Sequence, residues 1–156
     1  MQKIVTSLFF QGNAEEALAL YTSLFKNAKV SSRSFYGDAG PGPKGTLLAA
    51  IFELDGQEFL AINGKAPFTF TEAISLMVRC DTQQEIDRFW SELTAGGGQE
   101  IQCGWLKDKF GVFWQIVPAK LTEWMRDAKK YNAVMAALLK VKKLDIAEMQ
   151  RAYDNA

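Results

Sequence analysis

One helix recipe is written twice in this chain, and that repetition constrains the fold more than any other feature. Asn13 stands three residues before Glu16, an N-cap followed by its reciprocal acid. Ala17, Leu20, Tyr21 and Leu24 then follow at i, i+3, i+4, i+7 spacing, one apolar helix stripe. Asn27 comes next, a residue able to close a helix in the left-handed conformation. Cap, acid, stripe and stop all recur as Thr82, Glu85, Ile86, Phe89, Trp90, Leu93 and Gly96, each displaced by 69 positions. Four independent signals in one register indicate a duplicated unit. Each helix also follows an apolar run of strand length, Lys3 to Phe10 and Ala73 to Cys80.

After each helix the chain reads as strands. In the first half these are Val30 to Tyr36, Gly45 to Leu54 and Gln57 to Ile62. The last two are joined at Asp55-Gly56, a strong two-residue hairpin signal. In the second half, Glu100 to Leu106 and Val112 to Val117 flank the turn at Lys107–Gly111, with room for a further short strand. Each half is therefore a strand, a helix and a small antiparallel meander. Two such curved sheets would bury their concave apolar faces by covering one another. The expected class is α+β: duplicated βαβββ modules forming a curved mixed-sheet cleft, with a C-terminal helical extension. At 156 residues the chain reads as one domain, residues 1–156, with modules at 1–64 and 70–118 and a helical tail at 119–156. In the tail, Leu121, Trp124, Met125 and Ala128 form one stripe and Val134, Leu138 and Val141 another. Asp145 with Glu148 makes a third cap. The tail is expected to pack on the sheet or on a second subunit.

Charge excludes several functions. Eighteen basic residues balance eighteen acidic ones, so no global field draws in nucleic acid or an anionic membrane. The cluster Lys140, Lys142, Lys143 closes a helical stretch, where cations favour the C-terminal dipole. No run approaches the roughly 20 apolar residues of a membrane span, and no signal-like N-terminus is present, so a cytoplasmic location is expected. Two cysteines, Cys80 and Cys103, cannot make a disulfide framework and read as small buried hydrophobes. The loop Gly37–Gly45 holds four glycines and two prolines, but it leads into a strand and not a helix. It reads as a flexible flap and not a phosphate cradle.

The stretch Cys103–Pro118, CGWLKDKFGVFWQIVP, is the most specific motif, and its second strand carries an amide, Gln115, within an apolar run. With Phe10–Ala17, Glu72–Cys80 and the tail from Val134 to Ala147, it gives a resemblance to a known family. The chain resembles the PhnB-like group of the vicinal-oxygen-chelate superfamily, often labelled 3-demethylubiquinone 3-methyltransferase. That superfamily includes glyoxalases, bleomycin-resistance proteins and extradiol dioxygenases. Its metal-dependent members hold a divalent ion through two histidines and two carboxylates on the first and last strands of each half. Counting from Tyr21, the resemblance places the first such position at Thr6, and its counterpart at Ser75. Counting from the Asp108–Gly111 turn places another at Gln115, and the fourth falls near Phe59 or Ala61.

That inventory decides what chemistry to expect. The chain has no histidine, and threonine, serine and glutamine offer only neutral oxygens, so no metal is expected. An amide does not titrate in the useful range, so Gln115 is no general base, and Cys103 has no histidine to activate it. No glycine motif of the kind that commonly binds S-adenosylmethionine is present, so no cofactor is assigned and no catalytic residue is named. If Thr6, Ser75 and Gln115 point inward, strand alternation sends Leu8, Phe10, Met77 and Phe113 inward too. Phe59 and Ala61 share that face, and Trp105 stands at the cleft mouth. Trp114 falls on the opposite face, under the helices.

The expected function is metal-free binding of a small apolar or aromatic molecule in this cleft, as in bleomycin-resistance relatives. The alternatives are an enzyme acting in the same cleft and a structural dimerisation module. The resemblance also implies a homodimer.

Overall fold

The computed structural model describes residues 2–156. The chain divides into two compact units, one ending at Phe68 and one running from Thr69 to Ala156. The helical tail belongs to the second.

The first unit holds β1 (Thr6–Phe10), α1 (Ala14–Leu24), β2 (Ala28–Phe35), β3 (Leu47–Leu54) and β4 (Gln57–Asn63). The sheet order is β1-β4-β3-β2, with β1 parallel to β4 and the other pairs antiparallel. Asp55 and Gly56 link β3 to β4 with φ of +46° and +83°, both left-handed, as a two-residue turn of matching twist requires. The apolar stripe of α1 lies on one face of this sheet. Tyr21 sits 6.3 Å from Phe10 and 6.4 Å from Phe52, and Phe52 stacks on Phe59 at 5.2 Å between ring centres. All four rings are buried, and burying each contributes on the order of 2 kcal/mol.

Two helix-end readings need correction. Asn13 occupies the N-cap of α1, but its side chain makes no cap bond. Asn63, at the far end of β4, does that work: its Oδ1 accepts from the Ala14 N–H at 3.1 Å, and its Nδ2 donates to the Leu47 carbonyl at 3.1 Å. A buried amide reaching from the sheet can replace a local cap because the orphan N–H only needs an acceptor. Nor does Asn27 close α1 in the left-handed region, since Asp55 and Cys103 are the positive-φ residues other than glycine among those described. The Gly37–Gly45 loop is tied at its base, where Tyr36 and Thr46, and Gly45 and Tyr36, exchange backbone bonds of 2.9 and 2.8 Å. The Tyr36 hydroxyl donates to the Asn63 carbonyl at 2.8 Å, so the loop is anchored to β4.

The second unit holds β5 (Leu76–Cys80), α2 (Gln83–Thr94), β6 (Gln99–Glu100), β7 (Trp105–Lys107) and β8 (Phe113–Pro118). Its order, β5-β8-β7-β6, repeats that of the first sheet. Here the capping box is complete, with Thr82 and Glu85 capping reciprocally, and Gly96 stops the helix at φ +68°. The expected strand Glu100–Leu106 is two strands, β6 and β7, broken by a turn. Cys103 and Gly104 take φ of +64° and +81° there, which ends any extended run. Only glycine fits at 104: a Cβ would lie 2.9 Å from the Ile116 carbonyl oxygen and 3.0 Å from Leu144.

The β7–β8 turn is organised by one buried carboxylate. Asp108 Oδ1 accepts from the Phe110 and Val112 N–H groups at 2.9 and 3.0 Å, and Oδ2 accepts from Trp114 Nε1 at 2.9 Å. Trp114 is buried on the helix side of the sheet, as expected.

The tail folds as α3 (Leu121–Arg126), α4 (Tyr131–Leu138) and α5 (Ile146–Asp154) around Trp124, Val134 and Met149. It docks on its own unit. The Cys103 and Gly104 N–H groups donate to the Val141 and Lys142 carbonyls at 2.9 and 2.7 Å. Gln83 of α2 grips Leu144 and Ile146 through both ends of its amide, and Lys143 pairs with Asp87 at 2.6 Å. The basic cluster thus follows α4, and its Lys143 serves docking. No helix is long and apolar enough to cross a membrane among the described residues.

Candidate functional site

Sheet registry decides which predicted site residues share a face. In the second unit, Met77 lies beside Gln115, and Gln115 beside Trp105, across three strands. Phe113 lies beside Lys107, and Val117 beside Arg79, in the flanking rows. Because side chains alternate along a strand, these residues project away from α2. Leu106, Trp114 and Ile116 project toward α2 and are fully buried. Ser75, just before β5, joins the first group, because Gln115 Nε2 donates to its Oγ at 2.8 Å. Ser75, Met77, Trp105, Phe113 and Gln115, all expected at the site, thus occur together on one face.

That face is apolar with a small polar centre. Met77 is 47% exposed, an unusual state for a large apolar side chain in a strand. Phe113 is buried, and Trp105, Ser75 and Gln115 are half-buried. With the amide N–H spent on Ser75, the pair still offers the Gln115 carbonyl as acceptor and the Ser75 hydroxyl as donor. Arg79 and Lys107 lie in the outer rows, and no carboxylate of β5, β7 or β8 shares this face. Sequence reading missed these two cations, although counting two residues on from Met77 and from Trp105 reaches both.

The first unit overturns the other half of the site. Thr6 pairs in register with Phe59, and Phe59 with Phe52; Leu8 pairs with Ala61. This is the face beneath α1, where Phe52 meets Tyr21. Leu8, Phe59 and Ala61 are core residues at 4%, 6% and 0% exposure, and Thr6 is half-buried in the same row. The cause is one residue. Two residues, Gln11 and Gly12, separate Phe10 from Asn13, but Asp81 alone separates Cys80 from Thr82. The extra residue is taken up at Gly12, whose φ is +88°. The helices therefore repeat at 69 positions but β1 and β5 at 70: Phe10 pairs with Asn63 as Cys80 pairs with Pro118. A one-residue slip exchanges the two faces of a strand. Val5, Ser7 and Phe9 are thus the counterparts of Ser75, Met77 and Arg79, and Leu60 and Ile62 replace Phe59 and Ala61 on the face turned from α1.

The repeated sheets and the hairpin have solved counterparts. A family model described as 3-demethylubiquinone-9 3-methyltransferase matches residues 2–117. The chain belongs to this family. A putative 3-demethylubiquinone-9 3-methyltransferase, PhnB protein, from Bacillus cereus is 43% identical, with a TM-score of 0.69 over 74% of this chain and 99% of that one. The protein PA1353 from Pseudomonas aeruginosa is 21% identical, with a TM-score of 0.63 over 76% of this chain and 98% of that one, a likeness of fold. So is the likeness to the fosfomycin resistance protein FosX from Listeria monocytogenes, solved with Mn(II) and sulfate, at 15% identity and a TM-score of 0.53 over 81% of this chain and 98% of that one. No curated protein sequence matches the chain. The 3-demethylubiquinone-9 3-methyltransferase family, with PhnB and FosX as neighbours, places the chain in the vicinal-oxygen-chelate superfamily, and its fold is of the glyoxalase and bleomycin-resistance kind.

A divalent ion, as held by metal-dependent members of that superfamily, does not fit the donor set present. Ser75 and Gln115 are neutral and bonded to each other. On the first unit's outer face Val5, Leu60 and Ile62 are apolar. Glu58 lies beside Glu53, which itself pairs with Lys29 at 3.5 Å. Among the described residues no three of His, Cys, Asp or Glu are grouped to hold an ion. Neutral oxygens alone do not hold a transition metal tightly.

Proposed function

We propose that this member of the family binds a small molecule with an apolar or aromatic body on the face of β5, β8 and β7 turned from α2, without a metal ion. The observation that carries this is the Ser75–Gln115 hydrogen bond set within an apolar face, beside the exposed Met77. A few oriented polar groups in apolar surroundings are the usual composition of a small-molecule site. Arg79 and Lys107 on the same face, without a carboxylate, favour a ligand carrying negative charge.

The reading is tested with two dyes of similar shape, anionic 1-anilinonaphthalene-8-sulfonate and neutral N-phenyl-1-naphthylamine. Saturable binding of the anion is expected, weakened roughly tenfold by Ser75→Ala, which removes the hydroxyl donor, as for loss of a hydrogen bond to a charged group. Preference for the anion should fall in Arg79→Gln. Absence of saturable binding, together with no co-purified small molecule in native mass spectrometry, overturns the proposal. Near-stoichiometric metal in protein purified without chelators overturns its metal-free part.

A second reading rests on Ile74 and Met77, which are 70% and 47% exposed. Apolar side chains of that size suit a second copy of the chain, making a homodimer and the face an interface. Sedimentation equilibrium separates the two: under this second reading Ile74→Asp shifts the mass from dimer to monomer.

A further inference from the structure

We propose a second binding site at the seam between the tail helices and the ends of β5 and β8, which takes a small zwitterion with an apolar side chain, of the free α-amino acid class. A cavity of about 180 Å³ lies there, entirely within the second unit. It is open to solvent on one side. One wall comes from the strand ends, through Cys80, Pro118 and Ala119, and the other from the tail, through Trp124 and Ile146. Cys80 and Trp124 are 1% and 2% exposed, so the inner end is apolar. The Cys80 thiol stays neutral there, because burial pushes it up to about 12.

The outer end carries one charge of each sign. Asp81 and Lys120 both line the cavity, and both are exposed. Neither side chain makes an ion pair or hydrogen bond among the described residues. Opposite charges on one small cavity that do not meet each other leave a gap between them. An amino acid fills such a gap: its ammonium faces Asp81, its carboxylate faces Lys120, and its side chain enters the apolar end. Gln150 adds a neutral acceptor, since its Nε2 is held by Asp154 at 2.8 Å and its carbonyl oxygen is left. A simple anion would be opposed by Asp81 and a simple amine by Lys120, so the charge pattern selects the zwitterion.

The family match ends at residue 117, and the Bacillus cereus relative is covered over 99% of its length by 74% of this chain. The tail wall and Lys120 therefore lie beyond the residues matched by the family model. This site is independent of the face that carries Gln115. Because the ligand would touch both walls, it would also fasten the tail to the sheet.

Isothermal titration with L-phenylalanine and L-leucine tests the proposal on the full chain, with 3-phenylpropionate and phenethylamine as singly charged comparators. Saturable binding of an amino acid is expected, with both comparators at least about tenfold weaker, the scale of one charge-assisted hydrogen bond. Asp81→Asn and Lys120→Gln, both at exposed positions, should each weaken the amino acid by a similar factor without altering the thermal midpoint of the free protein. The indole N–H resonance of Trp124, assigned with Trp124→Phe, should shift on titration. No saturation by either amino acid below roughly 10 mM overturns the site. So does equal binding of the comparators, insensitivity to both charge variants, or a shift at Trp105 in place of Trp124.

Discussion

Asp108→Ala is the sharpest test of how the second unit is held together. The carboxylate is 1% exposed and accepts three hydrogen bonds of 2.9 to 3.0 Å, two from the turn backbone and one from Trp114. Hydrogen bonds to charged groups contribute about 1.5–3 kcal/mol each, and a buried donor left unsatisfied costs about 1–3 kcal/mol. The Phe110 N–H is half-buried and can turn to water, so the three terms do not add in full. A loss of about 3–5 kcal/mol is expected, a large share of the stability of a domain this size. Asp108→Asn should lose less, about 1.5–3 kcal/mol: one amide oxygen still serves the backbone, but its NH₂ then faces the Trp114 N–H, donor against donor. All four tryptophans lie in the second unit, at 90, 105, 114 and 124. Tryptophan fluorescence during urea unfolding therefore reports on that unit alone. The midpoint should fall at unchanged slope. A loss below about 1 kcal/mol for Asp108→Ala would refute the claim that this carboxylate organises the hairpin.

Three further outcomes follow from the packing. Gly104→Ala should cost about 2–4 kcal/mol, from the left-handed φ of +81° and a Cβ 2.9 Å from the Ile116 carbonyl oxygen, again read by tryptophan fluorescence. Asn63→Ala should cost the first unit about 2–3 kcal/mol, having lost the α1 cap and the bond to Leu47; circular dichroism at 222 nm (~220 nm region) is the readout, since that unit lacks tryptophan. Cys80, raised from 9.0 to about 12 by burial and then by Glu85 and Asp81, should resist thiol reagents at pH 8 while Cys103 reacts. Between those two values the unfolded thiol ionises and the folded one does not. Stability should therefore be intact below pH 9 and fall as pH rises toward 12, and Cys80→Ala should flatten that fall.

Much of the fold was legible because it rests on local signals. The capping box at Thr82 and Glu85, the Asp55-Gly56 turn and the helix stripes are each written within a few adjacent residues. What stayed hidden depended on partners distant in sequence. The α1 cap comes from Asn63, 49 residues beyond Ala14. The break of Glu100–Leu106 into two strands is fixed by carbonyls at 141 and 142, contributed by a tail whose docking no local pattern announces. The same holds for the site. Gln115 stood out as an amide in an apolar strand, and Ser75 followed as the counterpart of Thr6 in the second half, yet their hydrogen bond spans 40 residues. Arg79 and Lys107 became meaningful only once registry put them beside Val117 and Phe113.

The misplacement of Thr6, Leu8, Phe59 and Ala61 shows how a repeat can mislead in a sheet protein. A helix tolerates an offset error of one because its apolar stripe is broad, and the 69-residue repeat describes both helices well. A strand has no such tolerance, since one position separates core from outer face. Gly12 absorbs the added residue in the loop between strand and helix, so β1 and β5 repeat at 70 and a position counted back from Tyr21 lands on the wrong side. The signal was present as the unequal spacing of Phe10–Asn13 and Cys80–Thr82, and a left-handed glycine is where an insertion of one is least costly. The correction bears on chemistry as well as geometry. It replaces Thr6, a weak oxygen donor, by Val5, which has no side-chain donor at all. The first unit thereby moves further from the ligand set of a metal-dependent relative, and the polar centre that remains is the Ser75–Gln115 pair in the second unit.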